Sequence, residues 1–123
     1  MRITSLHRRV AVGLAVGFIV GGMPLLTPQA QQMTPLDQGK SIYMGHCAGC
    51  HGFDGGGNGP AAGGMTPSPT NFKAATVSTL SDNTIQQAVL VGKGTVMRGY
   101  ATILTASDLN AVVLYLRTLA AAP

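Results

Sequence analysis

A chain of 123 residues has room for one domain, and with two cysteines it is not a disulfide-rich scaffold. Most of its formal charge of +4 sits on Arg2, Arg8 and Arg9; from residue 31 onward, five cations (Lys40, Lys73, Lys93, Arg98, Arg117) face four acids (Asp37, Asp54, Asp82, Asp108). That near-balance, with no basic stripe interleaved with aromatics, excludes a nucleic-acid-binding surface.

Residues 1–9 are basic and acid-free, Val10 to Val20 is wholly apolar or glycine, and Gly21-Gly22-Met23-Pro24 breaks the run. A basic head, a short apolar middle and a small residue near position 30 predict a secretory signal over residues 1–30, cleaved after Ala30. The alternative is an uncleaved anchor, because Val10 to Leu26 reaches the lower limit of a membrane span. Either way, residues 31–123 form the exported domain.

Thr34-Pro35-Leu36-Asp37 reads as a helix start, with a Thr cap, Pro in the first turn and an acid three residues after the cap. The helix should run to about His46, with Leu36, Gly39, Ile42 and Tyr43 on one face and Met44 packed as core. Gly39 weakens a helix, so a second helix is expected to pass close to it.

Cys47-Ala48-Gly49-Cys50-His51 follows. Two thiols at this spacing can each add to one vinyl group of the same porphyrin, and the next residue supplies an imidazole beneath the iron. A zinc site would need two further ligands, which only His7, His46 and the aspartates could supply. A redox dithiol would not need His51 and belongs in a βαβ pattern, which is absent. The motif therefore points to one covalently attached haem c. With no tryptophan, three Phe and three Tyr, so small a domain has a thin core, and a porphyrin would fill its centre.

Gly52 to Gly64 holds seven glycines in 13 residues and predicts a tight loop. Met65 to Asn71, with Pro67 and Pro69, should be extended. Ser81-Asp82 caps a second helix, Asn83 to Val91, ended by Gly92. Lys93 to Leu104 reads as irregular, and a third helix runs from Thr105-Ala106-Ser107-Asp108 to about Leu119 with apolar residues at helical spacing. No β alternation is sustained, so the pattern is all-α with long loops.

Together Gly39-x-x-x-Tyr43, Cys47-x-x-Cys50-His51-Gly52, Gly59-Pro60, Pro67-x-Pro69-x-Asn71-Phe72, the stretch from Gly92 to Met97 and a closing helix with Tyr115-Leu116 resemble a small class I bacterial cytochrome c. The resemblance covers about Leu36 to Leu119. It implies the all-α cytochrome c fold, with about three main helices and long loops around one haem, and with Gly39 and Tyr43 crossing the last helix near Tyr115, Leu116 or Leu119. It implies His51 as proximal ligand and a distal methionine before the last helix. Met97 is the match, 46 residues after His51, and Met65 is the rival. Arg98 departs from the family, where proline often follows the methionine. The same likeness nominates the Pro60 carbonyl as the acceptor for His51, and Tyr100 as a donor to the methionine sulfur or a haem propionate. His46 is expected to be an exposed neighbour.

The function this implies is periplasmic electron transfer with transient redox donor and acceptor proteins. Filled axial positions would leave no site for a small-molecule substrate, and the protein would not itself be an enzyme. Competing readings are a haem subunit of a larger oxidoreductase, and a gas sensor or peroxidase-like protein with a labile distal ligand.

Overall fold

The computed structural model describes residues 32–122. The expected signal or anchor over residues 1–30 lies outside them. Among the described residues no helix is long and apolar enough to cross a membrane.

Helix α1 spans Pro35–His46. The Thr34 hydroxyl accepts from the Asp37 N–H, and Pro35 occupies the first turn, where its missing N–H costs nothing. A one-turn helix, α2 (Ala48–His51), carries the second cysteine and the histidine, and another, α3 (Ala75–Ser78), follows the proline-rich stretch. Helix α4 (Asp82–Val91) starts at the Ser81 cap and ends at Gly92, one residue earlier at its start than the pattern suggested. Helix α5 (Ala106–Ala121) opens with a full capping box between Thr105 and Asp108, a device that stabilises a helix by about 0.5–2 kcal/mol.

The segment expected to be irregular contains two short strands, β1 (Gly92–Lys93) and β2 (Met97–Arg98). They pair antiparallel, Gly92 with Arg98 and Lys93 with Met97. Two residues per strand are too few to leave an alternating pattern in the sequence. Gly92 makes the hairpin possible. Its φ of +85° lies in the left-handed region, and a Cβ there would collide with the Met97 carbonyl oxygen.

The principal helix packing is α1 across α5. A Cβ on Gly39 would overlap the Ala111 carbonyl, so the glycine sets how closely the helices approach. Tyr43, one turn on, is wholly buried, with its ring 5.3 Å from that of Tyr115; such aromatic pairs contribute about 0.5–1.5 kcal/mol beyond area burial. Val112, Val113, Leu116 and Leu119 complete this core from α5, and Ile85 joins it from α4. A smaller cluster of Val89, Tyr100 and Leu109 lies under the hairpin. Met44 is not core: it is 38% exposed, one position from Tyr43 but turned off the α5 face, and Leu36 is likewise exposed at 40%.

Polar staples close the loops over this frame. Arg117 of α5 donates to Asp82 Oδ1 at 2.6 and 2.9 Å and to the Leu80 carbonyl at 2.5 Å, tying the α3–α4 connection to the last helix. Gln38 of α1 donates to Asp108 at 2.7 Å.

Two glycine substitutions on α1 test the crossing. Gly39→Ala should lower the stability of the folded protein by at least the roughly 1–3 kcal/mol typical of overpacking. Gly45→Ala meets nothing within 4 Å and should raise it by about 0.5–1 kcal/mol. Thermal unfolding followed by circular dichroism reads both, and equal effects would contradict the close approach.

Candidate haem site

Sequence neighbours place the thiols and the imidazole. Chain turn after α1 puts Cys47 at its C-cap, with its N–H donating to the Tyr43 carbonyl at 2.8 Å, and α2 then carries Cys50 and His51. Both cysteines are free and half-buried. Burial first, and Cys50 second, push the Cys47 thiol up to about 11. A redox dithiol needs the opposite shift, since the thiolate is the nucleophile. Among the described residues no three or more His, Cys, Asp or Glu side chains converge as a metal cluster.

His51 is buried, 8% exposed. Its Nδ1 lies 3.0 Å from the Thr70 carbonyl oxygen. A carbonyl can only accept, so Nδ1 carries a proton, which leaves Nε2 as the nitrogen that would meet a metal. The acceptor is thus Thr70, not Pro60. The Gly59 and Ala61 N–H groups donate to the Cys50 and Gly49 carbonyls at 3.0 and 2.8 Å, which ties the loop on both sides of the exposed Pro60 to the backbone of α2. Phe72 stacks on the imidazole, centroids 4.6 Å apart and 26° between planes. Phe72 in turn meets the Tyr43 ring edge-on at 6.2 Å. The Tyr43 hydroxyl donates to the Gly52 carbonyl at 2.5 Å, directly after His51. Burial pushes this phenol well above its usual value, so it remains a donor.

Two adjoining clefts open beside His51, about 270 and about 450 Å³, lined mostly by apolar groups. Together they fall within the range of roughly 300–1,000 Å³ typical of cofactor sites. Cys47, Cys50 and Met65 line the first only; His51, Thr70, Lys93 and Met97 line both. The four sequence-nominated residues therefore share one cavity system, and the residues fit a porphyrin: two thiols at one end, an imidazole whose Nδ1 is committed to a backbone carbonyl, a thioether, and apolar walls.

Met97 is half-buried on β2. The ladder pins it, with Lys93 opposite and Arg98 held to Gly92; the Arg98 guanidinium also lies 5.1 Å from the Tyr100 ring centre. Tyr100 itself is buried and donates to the His46 carbonyl at 3.0 Å, not to a methionine sulfur. Its own N–H is committed to the Val89 and Leu90 carbonyls, which fixes the ring against α1. His46 is exposed, with its ring against Tyr100 at 5.9 Å. Thr70 and Phe72 are the site residues that spacing did not reveal as neighbours of His51; the Pro-x-Asn-Phe run around them was the available signal.

Asp54 ties the glycine loop to this wall. Its Oδ2 accepts from Lys73 at 3.0 Å and its Oδ1 from the Gly56 N–H at 3.1 Å. The Phe72 N–H donates to Gly55 at 2.7 Å.

The family model for cytochrome c matches residues 36–120. Among solved structures, the chain is similar to one from the Kuenenia stuttgartiensis reducing HAO-like protein complex Kustc0457/Kustc0458, at 30% identity and a TM-score of 0.60. That match covers 72% of this chain and 43% of the other, so the chain spans less than half of that relative's length. It is also similar to the KustC0563 c-type cytochrome, at 28% identity and a TM-score of 0.53, covering 66% of this chain and 95% of that one. No curated protein matches.

The Asp54 contacts predict an acid response. The Lys73 hydrogen bond, and then that from Gly56, hold the Asp54 carboxyl below its ordinary value. A depressed folded-state pKa means stability fully present above the unfolded value of about 3.9 and lost as pH falls through the folded one. Asp54→Asn should therefore flatten part of the fall in melting temperature measured from pH 5 downward; an unchanged acid limb would show that Asp54 contributes none of it.

Proposed function

The chain belongs to the cytochrome c family, and from that premise we propose that it is a monohaem electron-transfer protein held by Cys47 and Cys50, with His51 and Met97 as axial ligands. The observation that carries this reading is the meeting of two thiols, a Nδ1-protonated imidazole and one thioether on a single apolar cavity system. Haem, when bound, supplies one-electron chemistry at its iron. The chain's own residues hold and orient. The Thr70 carbonyl fixes the tautomer of His51, and Phe72 fixes its ring plane. Val77, Ile85, Val89 and Leu116 keep water from the inner wall. The β-ladder holds Met97, and a bound haem ligated by this soft thioether and the His51 imidazole would favour its ferrous state and have a raised potential. Met97 is preferred to Met65 because it borders both clefts, whereas Met65 borders only the one on the cysteine side.

Were His51 and Met97 both to ligate the haem iron, no position would remain there for a small molecule, and the protein would serve as a carrier rather than an enzyme. Its partners are redox proteins that dock briefly through small interfaces. The basic, then apolar N-terminus supports export to the periplasm, with residues 1–30 as signal and 31–123 as the functional domain. The similarity to a chain from a redox complex favours a second reading, a haem subunit of a larger assembly. Size-exclusion chromatography of the native exported protein separates the two: a single-chain mass fits the carrier, and co-elution with other haem proteins fits the subunit.

Three outcomes are expected. Denaturing mass spectrometry of the exported protein should give the polypeptide cut near Ala30 plus one haem, and Cys47→Ser with Cys50→Ser should abolish the addition. The reduced wild-type protein should bind carbon monoxide slowly or not at all near neutral pH. Met97→Ala should bind it readily and have a lower reduction potential, while Met65→Ala does neither. Fast, stoichiometric binding by the wild type would instead favour the sensor or peroxidase-like reading.

A further inference from the structure

We propose that Lys93, with the Gln87 amide lining the same cleft, is the carboxylate-binding site for the haem propionates. The inference rests on the haem reading above and extends it to the opposite edge of the ring. On a haem, the vinyl groups that thiols attack and the two propionates occupy opposite halves of the macrocycle. Cys47 and Cys50 border only the first cleft, and His51 and Met97 border both. A planar ring tethered at the thiols and held by His51 and Met97 would therefore reach its acidic edge into the second cleft.

That cleft is apolar except for a few groups. Lys93, Gln87 and Thr84 line it, and Lys93 is its one permanently cationic residue. No aspartate lines either cleft. The described acids are engaged elsewhere: Asp54 with Lys73, Asp82 with Arg117, Asp108 with Thr105 and Gln38, and Asp37 with Thr34. Lys93 has no acidic partner among the described residues. Its orientation follows from register. Residues directly opposite on an antiparallel pair share a face, so Lys93 extends on the same side of the hairpin as Met97. Being exposed, its ammonium can meet carboxylates at the cleft mouth without the cost of burying ions. Arg98 shares the exposure and the lack of an acidic partner but differs in placement: it borders only the first cleft, stacks over Tyr100 and sits opposite Gly92.

The test uses the covalently loaded protein and resonance Raman spectroscopy of its propionate-bending band, which reports hydrogen bonding to the carboxylates. Lys93→Gln should shift the band, Lys93→Arg should restore the wild-type position, and Arg98→Gln, which removes the same charge, should leave it unmoved. Gln87→Leu should shift it less, in the same direction as Lys93→Gln. An unshifted band in Lys93→Gln, or an equal shift in Arg98→Gln, would overturn the assignment. Denaturing mass and the visible spectrum, recorded on each sample, keep the two levels apart: haem present with an unmoved band refutes the Lys93 site alone, whereas absence of haem refutes the reading beneath it.

Discussion

The structure depends on the close crossing of α1 and α5 at Gly39. Because the helices touch backbone to backbone there, Tyr43 is driven fully into the core, and its position is set by Tyr115 on one side and Phe72 on the other. From that fixed ring two lines run to the site. The hydroxyl holds the Gly52 carbonyl, and the ring edge supports Phe72, which faces the His51 imidazole. A packing constraint some distance from the cavity thereby becomes an orientation constraint inside it.

Charge is handled locally throughout the fold. Exposed ion pairs contribute little individually, yet each of these joins segments distant in sequence: Lys73 to Asp54 across the glycine loop, and Arg117 to Asp82 across the α3–α4 connection. Pairing them leaves the hairpin's Lys93 and Arg98 as the cations beside the clefts. The same hairpin holds Met97, so one short element combines a backbone constraint with a local positive field. A four-residue ladder can do this because Gly92 adopts a conformation closed to other residues, and Tyr100 anchors the chain immediately afterwards.

A domain with so few aromatics is thin by surface-to-volume scaling, and both of its side-chain clusters contribute residues to the cleft walls. Val77, Ile85, Val89 and Leu116 belong to the protein's own core and also to the cavity wall. An apolar ring between them would join the clusters, so attachment of the cofactor and completion of the core are one event in energetic terms.

Much of this was legible in the sequence because its causes are local. Thr34, Ser81 and Thr105 cap helices through hydrogen bonds to residues three positions on, Gly92 ends α4, and the Cys47-x-x-Cys50-His51 spacing encodes attachment chemistry without reference to any distant residue. The likeness of Gly39 and Tyr43 to a helix crossing also carried over, since a glycine and an aromatic one turn apart leave a recognisable trace. Tertiary structure decided what depends on non-local approach. Thr70 and not Pro60 accepts the His51 Nδ1–H hydrogen bond, while the Gly59 and Ala61 N–H groups tie the loop around that proline to α2. Tyr100 turns to the His46 carbonyl, 54 residues away, because Val89 and Leu90 hold its backbone. Met44 is left exposed because Gly39 and Tyr43 take the side of α1 that meets α5. The two-residue ladder at Met97 has no periodicity to read; only the meeting of its strands creates it.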